Sequence, residues 1–199
     1  MPRRVYPVSS ARAVAARKAL SIDFGQLRSI RLVVFDFDGV FTDNRVLVVE
    51  DGMEAVFCSR ADALGVKLLQ QSGVDCLVLS TEANPVVATR CRKMGVECVA
   101  EQWNKVPALD RIVNARKVAW SDVVYVGNDV NDLGCLARVG VPICVADADP
   151  RISAVCKLIT ARPGGNGAVR EICEWILNAR GVSLADAFLA AEAPVDPGA

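Results

Sequence analysis

The chain has 199 residues, enough for one domain with a core of its own. Its 23 Lys and Arg balance its 23 Asp and Glu, which argues against the strong positive field of a nucleic-acid binder. No apolar run approaches the roughly 20 residues that span a bilayer. Histidine is absent, which excludes a Ser-His-Asp triad, His-ligated zinc and a histidine general base.

Residues 1–29 read as a basic arm. Arg3, Arg4, Arg12, Arg17 and Lys18 precede the first acid, Asp23, and a short helical stretch is expected over Ala11–Leu20. The arm lacks the apolar h-region of a signal peptide, so the expectation is a cytoplasmic protein with its domain over residues 30–180. Leu32–Phe35 is a continuous apolar run of the kind that fills a buried parallel strand. It ends in Asp36-Phe37-Asp38-Gly39, and unpaired acids have no place inside a buried strand. Both acids therefore belong at the carboxyl edge of an open sheet, where such sheets bind ligands. Taken alone, the stretch fits a plain turn equally well. The other reading is a cation site: two carboxylates facing one small volume need a proton or a cation between them, and oxygen ligands suit Mg²⁺.

Arg45–Val49 and Glu54–Cys58 read as a hairpin around Glu50-Asp51-Gly52-Met53. A helix over Ala61–Gln71 stops at Gly73, and Cys76–Ser80 is the next buried strand. Asn84-Pro85 opens a helix to Met94, closed by Gly95. Then come a strand at Val96–Ala100, a helix at Val106–Lys117, a strand at Val123–Val126 and a helix at Asp132–Val139. A strand at Pro142–Val145, a helix at Pro150–Val155 and a strand at Leu158–Thr160 follow. Pro163-Gly164-Gly165-Asn166-Gly167 leads into a last helix, Ala168 to Arg180. Residues 181–199 read as a tail, with Ala193–Ala199 rich in Pro, Ala and Gly. This alternation predicts an α/β fold, a doubly wound, mostly parallel sheet with a small β-hairpin insert. The eight cysteines form no CxxC pair and read as small hydrophobes of a reduced protein.

Thr81, Lys105 and the cluster Asn128, Asp129 and Asp132 lie just past strands or at helix mouths. Singly, such residues are ordinary caps and surface charges. Their order after Asp-x-Asp is the informative feature. Phe35 through Asp43, Phe57 through Asp62, Leu79-Ser80-Thr81-Glu82, Tyr125 through Asp132, and Arg162 through Glu171 together resemble the haloacid dehalogenase-like phosphohydrolases over residues 30–180. The likeness points to the cap-less branch of 3-deoxy-octulosonate-8-phosphate phosphatases and the related domains found with acylneuraminate cytidylyltransferases.

The resemblance implies a Rossmann-like core without a cap domain, a Mg²⁺ cofactor and a phosphomonoesterase acting on an acidic sugar phosphate. It implies Asp36 as nucleophile and metal ligand, and Asp38 as acid/base whose carbonyl meets the metal. Thr81 and Lys105 would hold the phosphoryl oxygens. Asn128 stands where many members place an aspartate; it is expected as a ligand, with Asp129 and Asp132 as direct or water-mediated support. Ser59, Arg60, Asp62, Lys67 and Arg90 correspond to substrate-binding positions, some reached from a neighbouring subunit of a homotetramer. In the octulosonate phosphatases an arginine follows the Thr-Gly of the second motif. Here Thr81-Glu82-Ala83 lacks it, which favours a nonulosonate 9-phosphate over the octulosonate 8-phosphate. Two other readings are a structural, tetramerising partner of an acylneuraminate cytidylyltransferase with little activity and a general, unselective sugar phosphatase. Intact Asp36, Asp38, Thr81 and Lys105 argue against the partner, because assembly needs none of them. A receiver-type phosphoacceptor gives no reason for Asp38.

Overall fold

A computed structural model describes residues 24–192. The expected helix at Ala11–Leu20 and the tail at Ala193–Ala199 lie outside them. None of the described helices is long and apolar enough to cross a membrane.

Six parallel strands form one sheet, in the order β5-β4-β1-β6-β7-β8: β1 (Leu32–Phe35), β4 (Asp75–Leu79), β5 (Glu97–Val99), β6 (Val123–Gly127), β7 (Val141–Cys144) and β8 (Leu158–Ile159). Alternation divides the apolar run of β1 between the two faces. Val33 and Phe35 join one core cluster and Leu32 and Val34 the other, which is why the run shows no polar face. Helices α2 (Arg60–Gln71), α3 (Pro85–Met94) and α7 (Ala168–Ala179) cover the first face with α1 (Phe24–Arg28). The second is covered by α4 (Lys105–Arg116), α5 (Leu133–Leu136) and α6 (Pro150–Val155). The chain leaves β1 toward β4 and β5 and returns to β6 on its other side. The carboxyl ends of β1 and β6 thus border the topological switch point, where an open sheet leaves a crevice.

Helix starts follow their side chains. Ser59, Asn84, Asn104 and Asp149 each accept a hydrogen bond from the backbone N–H two residues on, and Pro85 and Pro150 open their helices. Four expectations change. The hairpin ladder shrinks to β2 (Leu47–Val48) and β3 (Glu54–Ala55), with one bridge from Thr42 to Cys58, because neither face of this ribbon is packed on the core. The helix expected at Asp132–Val139 becomes a 3₁₀ turn, Val130–Asp132, followed by the short α5, since Asp129 caps the turn in a reciprocal box. Within the expected tail, α8 (Leu184–Glu192) is helical and buries Ala187. Leu27, assigned to the arm, belongs to the core.

Asp62, in the first turn of α2, is fully buried against the start of α7, where its Oδ1 accepts from the Arg170 N–H at 2.8 Å. Its other oxygen has no hydrogen-bond partner. Burial pushes its pKa up to about 6, opposed by the N–H groups of Arg170 and Gly167 and by the charges of Arg162 and Arg90. Because the folded value lies above the unfolded value of about 3.9, the cost of burying the charge is full above about pH 6. It is relieved as pH falls through 6 toward the unfolded value. Asp62→Asn should therefore gain on the natural protein, in urea-unfolding free energy, as pH rises from about 5 to about 8. A stability difference that stays constant over that range would show that the carboxyl does not titrate in the folded protein.

Candidate active site

The β1 ladder continues one residue past the strand, where the Asp36 N–H donates to the Val126 carbonyl at 2.9 Å. The chain then turns sharply, with Phe41 N–H donating to Phe37 O at 2.8 Å. Gly39 has φ +77°, and a Cβ there would collide with the Asn128 side chain, so glycine is required on both counts. The glycine-rich loop before α7 braces this turn. Gly165 N–H donates to Val40 O at 3.1 Å, and a Cβ on Gly164 would strike the Gly39 carbonyl. That close backbone approach is the physical reason for Gly-Gly at this point.

Asp36 is almost fully buried. Its Oδ1 accepts from the Phe37 N–H at 2.7 Å and pairs with Lys105 Nζ at 2.7 Å. Lys105 also pairs with Asp132 Oδ1 at 2.8 Å. Asp132 in turn accepts from the Tyr125 hydroxyl at 2.7 Å, and its Oδ2 from the N–H groups of Asn128 at 3.0 Å and Asp129 at 3.4 Å. Lys105 and Asp132 have no side-chain exposure. Burial pushes the Lys105 pKa down, but Asp36 and Asp132 together raise it above the ordinary value, so it stays charged. Burial, then the Asp132 charge, push Asp36 up, while Lys105 opposes them. Asp38 is also raised, by burial first and then by the charges of Glu82 and Glu54. A raised pKa favours the protonated form that a general acid needs; what separates the two carboxyls is that Asp36 is the one paired with Lys105.

The cleft holds about 260 Å³ and is lined by Asp36, Asp38, Asn44, Thr81, Trp103, Asn128, Asp129, Val130 and Asn131. At its floor the Asn128 side-chain oxygen stands 3.3 Å from Asp36 Oδ2 and 2.9 Å from the Asp38 carbonyl oxygen. With the amide turned over, Asn128 donates to both oxygens; with its oxygen inward, the three oxygens need a cation between them. Adjacent ligands of an octahedral Mg²⁺ at about 2.1 Å lie about 3.0 Å apart, so the donor set fits that cation. It supplies one carboxylate and two neutral oxygens, and among the described residues no group of three His, Cys, Asp or Glu side chains forms a metal cluster. Asn128→Asp adds the missing charge and should lower the Mg²⁺ concentration for half-maximal binding by roughly tenfold, as calorimetry would measure. An unchanged binding curve would remove Asn128 from the ligand set.

The expected residues separate into two groups. Asp36, Asp38, Thr81, Asn128 and Asp129 meet at the cleft, and Lys105 lies directly beneath Asp36. Asp132, expected as direct or water-mediated support, has its oxygens committed to Lys105, Tyr125 and two backbone N–H groups, and it does not line the cleft. Ser59, Arg60, Asp62, Lys67 and Arg90 do not line it either. Ser59 caps α2, Asp62 anchors α7, Arg90 donates to the Ser59 carbonyl at 3.0 Å, and Arg60 and Lys67 are exposed on α2. Within this chain alone, helix packing turns those five away from the cleft. Glu82 uses one oxygen to accept from the N–H groups of Ala83 and Asn84. Asn44, Trp103, Val130 and Asn131 line the cleft without having been expected. Their signal was adjacency: each stands within two residues of a motif position, Trp103 just before Asn104-Lys105.

Comparison with known proteins follows the same lines. The haloacid dehalogenase-like hydrolase family matches residues 77–172. The 3-deoxy-D-manno-octulosonate 8-phosphate phosphatase of Escherichia coli is 30% identical over 154 residues, 77% of this chain and 82% of its own length. A structure from Streptomyces avermitilis, described as a hydrolase of the haloacid dehalogenase family, shares 47% identity. It has a TM-score of 0.74 and covers 75% of this chain and 86% of that one. The octulosonate 8-phosphate phosphatase of Moraxella catarrhalis, solved with magnesium, phosphate and 3-deoxy-D-manno-octulosonate, is 31% identical. Its TM-score is 0.79, over 84% of this chain and 96% of its own.

Proposed function

The chain belongs to the haloacid dehalogenase-like hydrolases, and from that premise we propose that it is a Mg²⁺-dependent phosphatase of an acidic sugar phosphate working through an aspartyl-phosphate. The observation that carries this reading is the different bonding of two carboxyl residues at one cleft. Asp36 is paired with Lys105 and has Oδ2 left toward the cleft, while Asp38 lines the same cleft as the second acid.

An Asp36 oxygen attacks phosphorus as the bond to the sugar oxygen breaks, and Asp38 gives its proton to the leaving alkoxide. Asp38, now a base, takes a proton from water. That water attacks phosphorus, releases inorganic phosphate and frees Asp36. Asp36, the Asp38 carbonyl and Asn128 would hold Mg²⁺, which when bound supplies positive charge opposite the phosphoryl oxygens. Thr81 binds a phosphoryl oxygen, and Lys105 orients Asp36 while its charge opposes the rise that burial imposes on that carboxyl.

Only a hairpin interrupts the core between β1 and α2, so no cap domain is inserted there among the described residues. Val46, Leu47, Val48, Met53 and Phe57 are all more than half exposed there, which supports assembly, as a homotetramer, through this surface. Light scattering should give a multiple of the 21.3 kDa chain mass, and a monomer with full, selective activity would end that reading. Among the described residues no cationic side chain lines the cleft, so Arg60 or Arg90 of another copy is the candidate partner for a substrate carboxylate. With Glu82 beside Asp38 and no arginine following Thr81, the nine-carbon acylneuraminate type is favoured over the eight-carbon sugar.

Phosphate release from octulosonate 8-phosphate, acylneuraminate 9-phosphate and simple hexose phosphates under one Mg²⁺ concentration tests the proposal. Preference for the acidic sugars is expected. Equal rates would make the enzyme unselective. Failure on every phosphomonoester would leave the assembly partner of a cytidylyltransferase.

A further inference from the structure

The cleft holds about 260 Å³, below the roughly 300–1,000 Å³ of ordinary small-molecule pockets. It has room for a phosphoryl group and the first atoms of the sugar. The rest of an eight- or nine-carbon substrate must lie over the rim, and the chemistry of that rim is specific. Trp103 stands there 89% exposed, the most exposed large apolar residue among those described, and Val130 borders the same opening at 42%. Asn44 and Asn131, whose side chains carry amides, line the same cleft.

Trp103 is displayed by a built loop. Glu101 N–H donates to Glu82 O at 3.3 Å and Gln102 N–H to Ser80 O at 3.1 Å, which ties the loop to the segment carrying Thr81. On its other side Asn104 caps α4 and Lys105 is locked into the buried ion network. Glu101 holds φ +60°, a left-handed conformation that a residue with a Cβ adopts only when its surroundings enforce it. The sequence thus spends strain and two cross-loop bonds on placing an indole beside the reacting centre. A flat apolar face next to groups that both donate and accept matches a polyhydroxylated ring, which has C–H faces and a hydroxyl edge.

We propose that Trp103, with Asn44 and Asn131, forms the subsite for the sugar portion of the substrate, the indole packing on the ring's C–H face and the amides meeting its hydroxyls. This rests on the phosphatase reading above and adds to it the residue that selects a ring over an open or small phosphate ester. Trp103 is a specificity-determining residue in this scheme and takes no part in the chemistry.

Two measurements test it. In the first, kcat and KM are determined for octulosonate 8-phosphate and for acetyl phosphate, which carries no ring. Trp103→Ala should lower the ratio of kcat/KM for the sugar over acetyl phosphate by roughly tenfold, through KM, and Trp103→Phe should restore most of it. In the second, tryptophan emission is followed while the protein is titrated with 3-deoxy-D-manno-octulosonate, which has no phosphate. Emission should respond to the sugar, and the response should vanish in Trp103→Phe, although Trp120 and Trp175, both partly buried in the core, still emit. An unchanged ratio in Trp103→Ala overturns the proposal, as does a lower oligomer mass with KM unaltered, which would make Trp103 an intersubunit contact. If the natural protein releases phosphate from nothing, the phosphatase reading fails. The emission titration then still decides the subsite: a Trp103-dependent response upholds it, and none rejects it.

Discussion

Asp36→Asn should reduce phosphate release by at least about a thousandfold while the protein still unfolds in one cooperative transition, because the change removes a nucleophile and almost no volume. Lys105 keeps its bond to Asp132 in that variant, so no buried cation is stranded. Asp38→Asn should lose a comparable amount for a different reason. The substitution deletes the proton carrier but leaves the main-chain carbonyl that stands 2.9 Å from the Asn128 oxygen. Mg²⁺ binding by calorimetry should thus weaken in Asp36→Asn and stay close to normal in Asp38→Asn. Substantial turnover by either folded variant would refute the assignment of roles. Equal loss of Mg²⁺ binding in both would place the Asp38 side chain, not its carbonyl, on the metal.

The second large effect belongs to Asp132, and it is one of stability. Asp132→Ala removes the shared acceptor of Lys105, the Tyr125 hydroxyl and the N–H groups of Asn128 and Asp129. Breaking a buried ion pair from one side commonly costs about 3–5 kcal/mol, and orphaned donors add to it. Denaturant unfolding should show a loss of that order, together with a collapse in activity as Lys105 and Asn128 lose their positions. Asp132→Asn keeps one acceptor oxygen, which can serve Lys105 and Tyr125 or the two backbone N–H groups but not both, and should lose less than the alanine variant. A variant within about 1 kcal/mol of the natural protein that had nonetheless lost Mg²⁺ binding would return Asp132 to the metal. In the proposed site the cation and the ion network would divide the acids between them, with Asp36 serving both through different oxygens.

Local chemistry determined a good deal of this protein. The run Leu32–Phe35 is a strand buried on both faces because nothing polar interrupts it. Asn84-Pro85 opens a helix because the amide caps the second N–H after it and proline gives up none that is needed. Alternating strands and helices imply the parallel sheet, and a parallel sheet delivers Asp36, Thr81 and Asn128 to one edge. What periodicity and caps leave open is the partner that each polar side chain meets, since that depends on elements far apart in the chain. Asp62 and Asp132 read as site residues beside Asp36 and Asn128. Packing of α2 on α7 gave Asp62 a backbone donor 108 positions away, and burial of Lys105 claimed Asp132 across 27. Desolvation decided both cases: a carboxylate carried into the interior is held by whatever donors the tertiary structure brings there. Trp103 shows the converse. An exposed indole carries no periodic signal, and only the bonding of its loop to the Ser80–Glu82 segment set it at the mouth of the cleft.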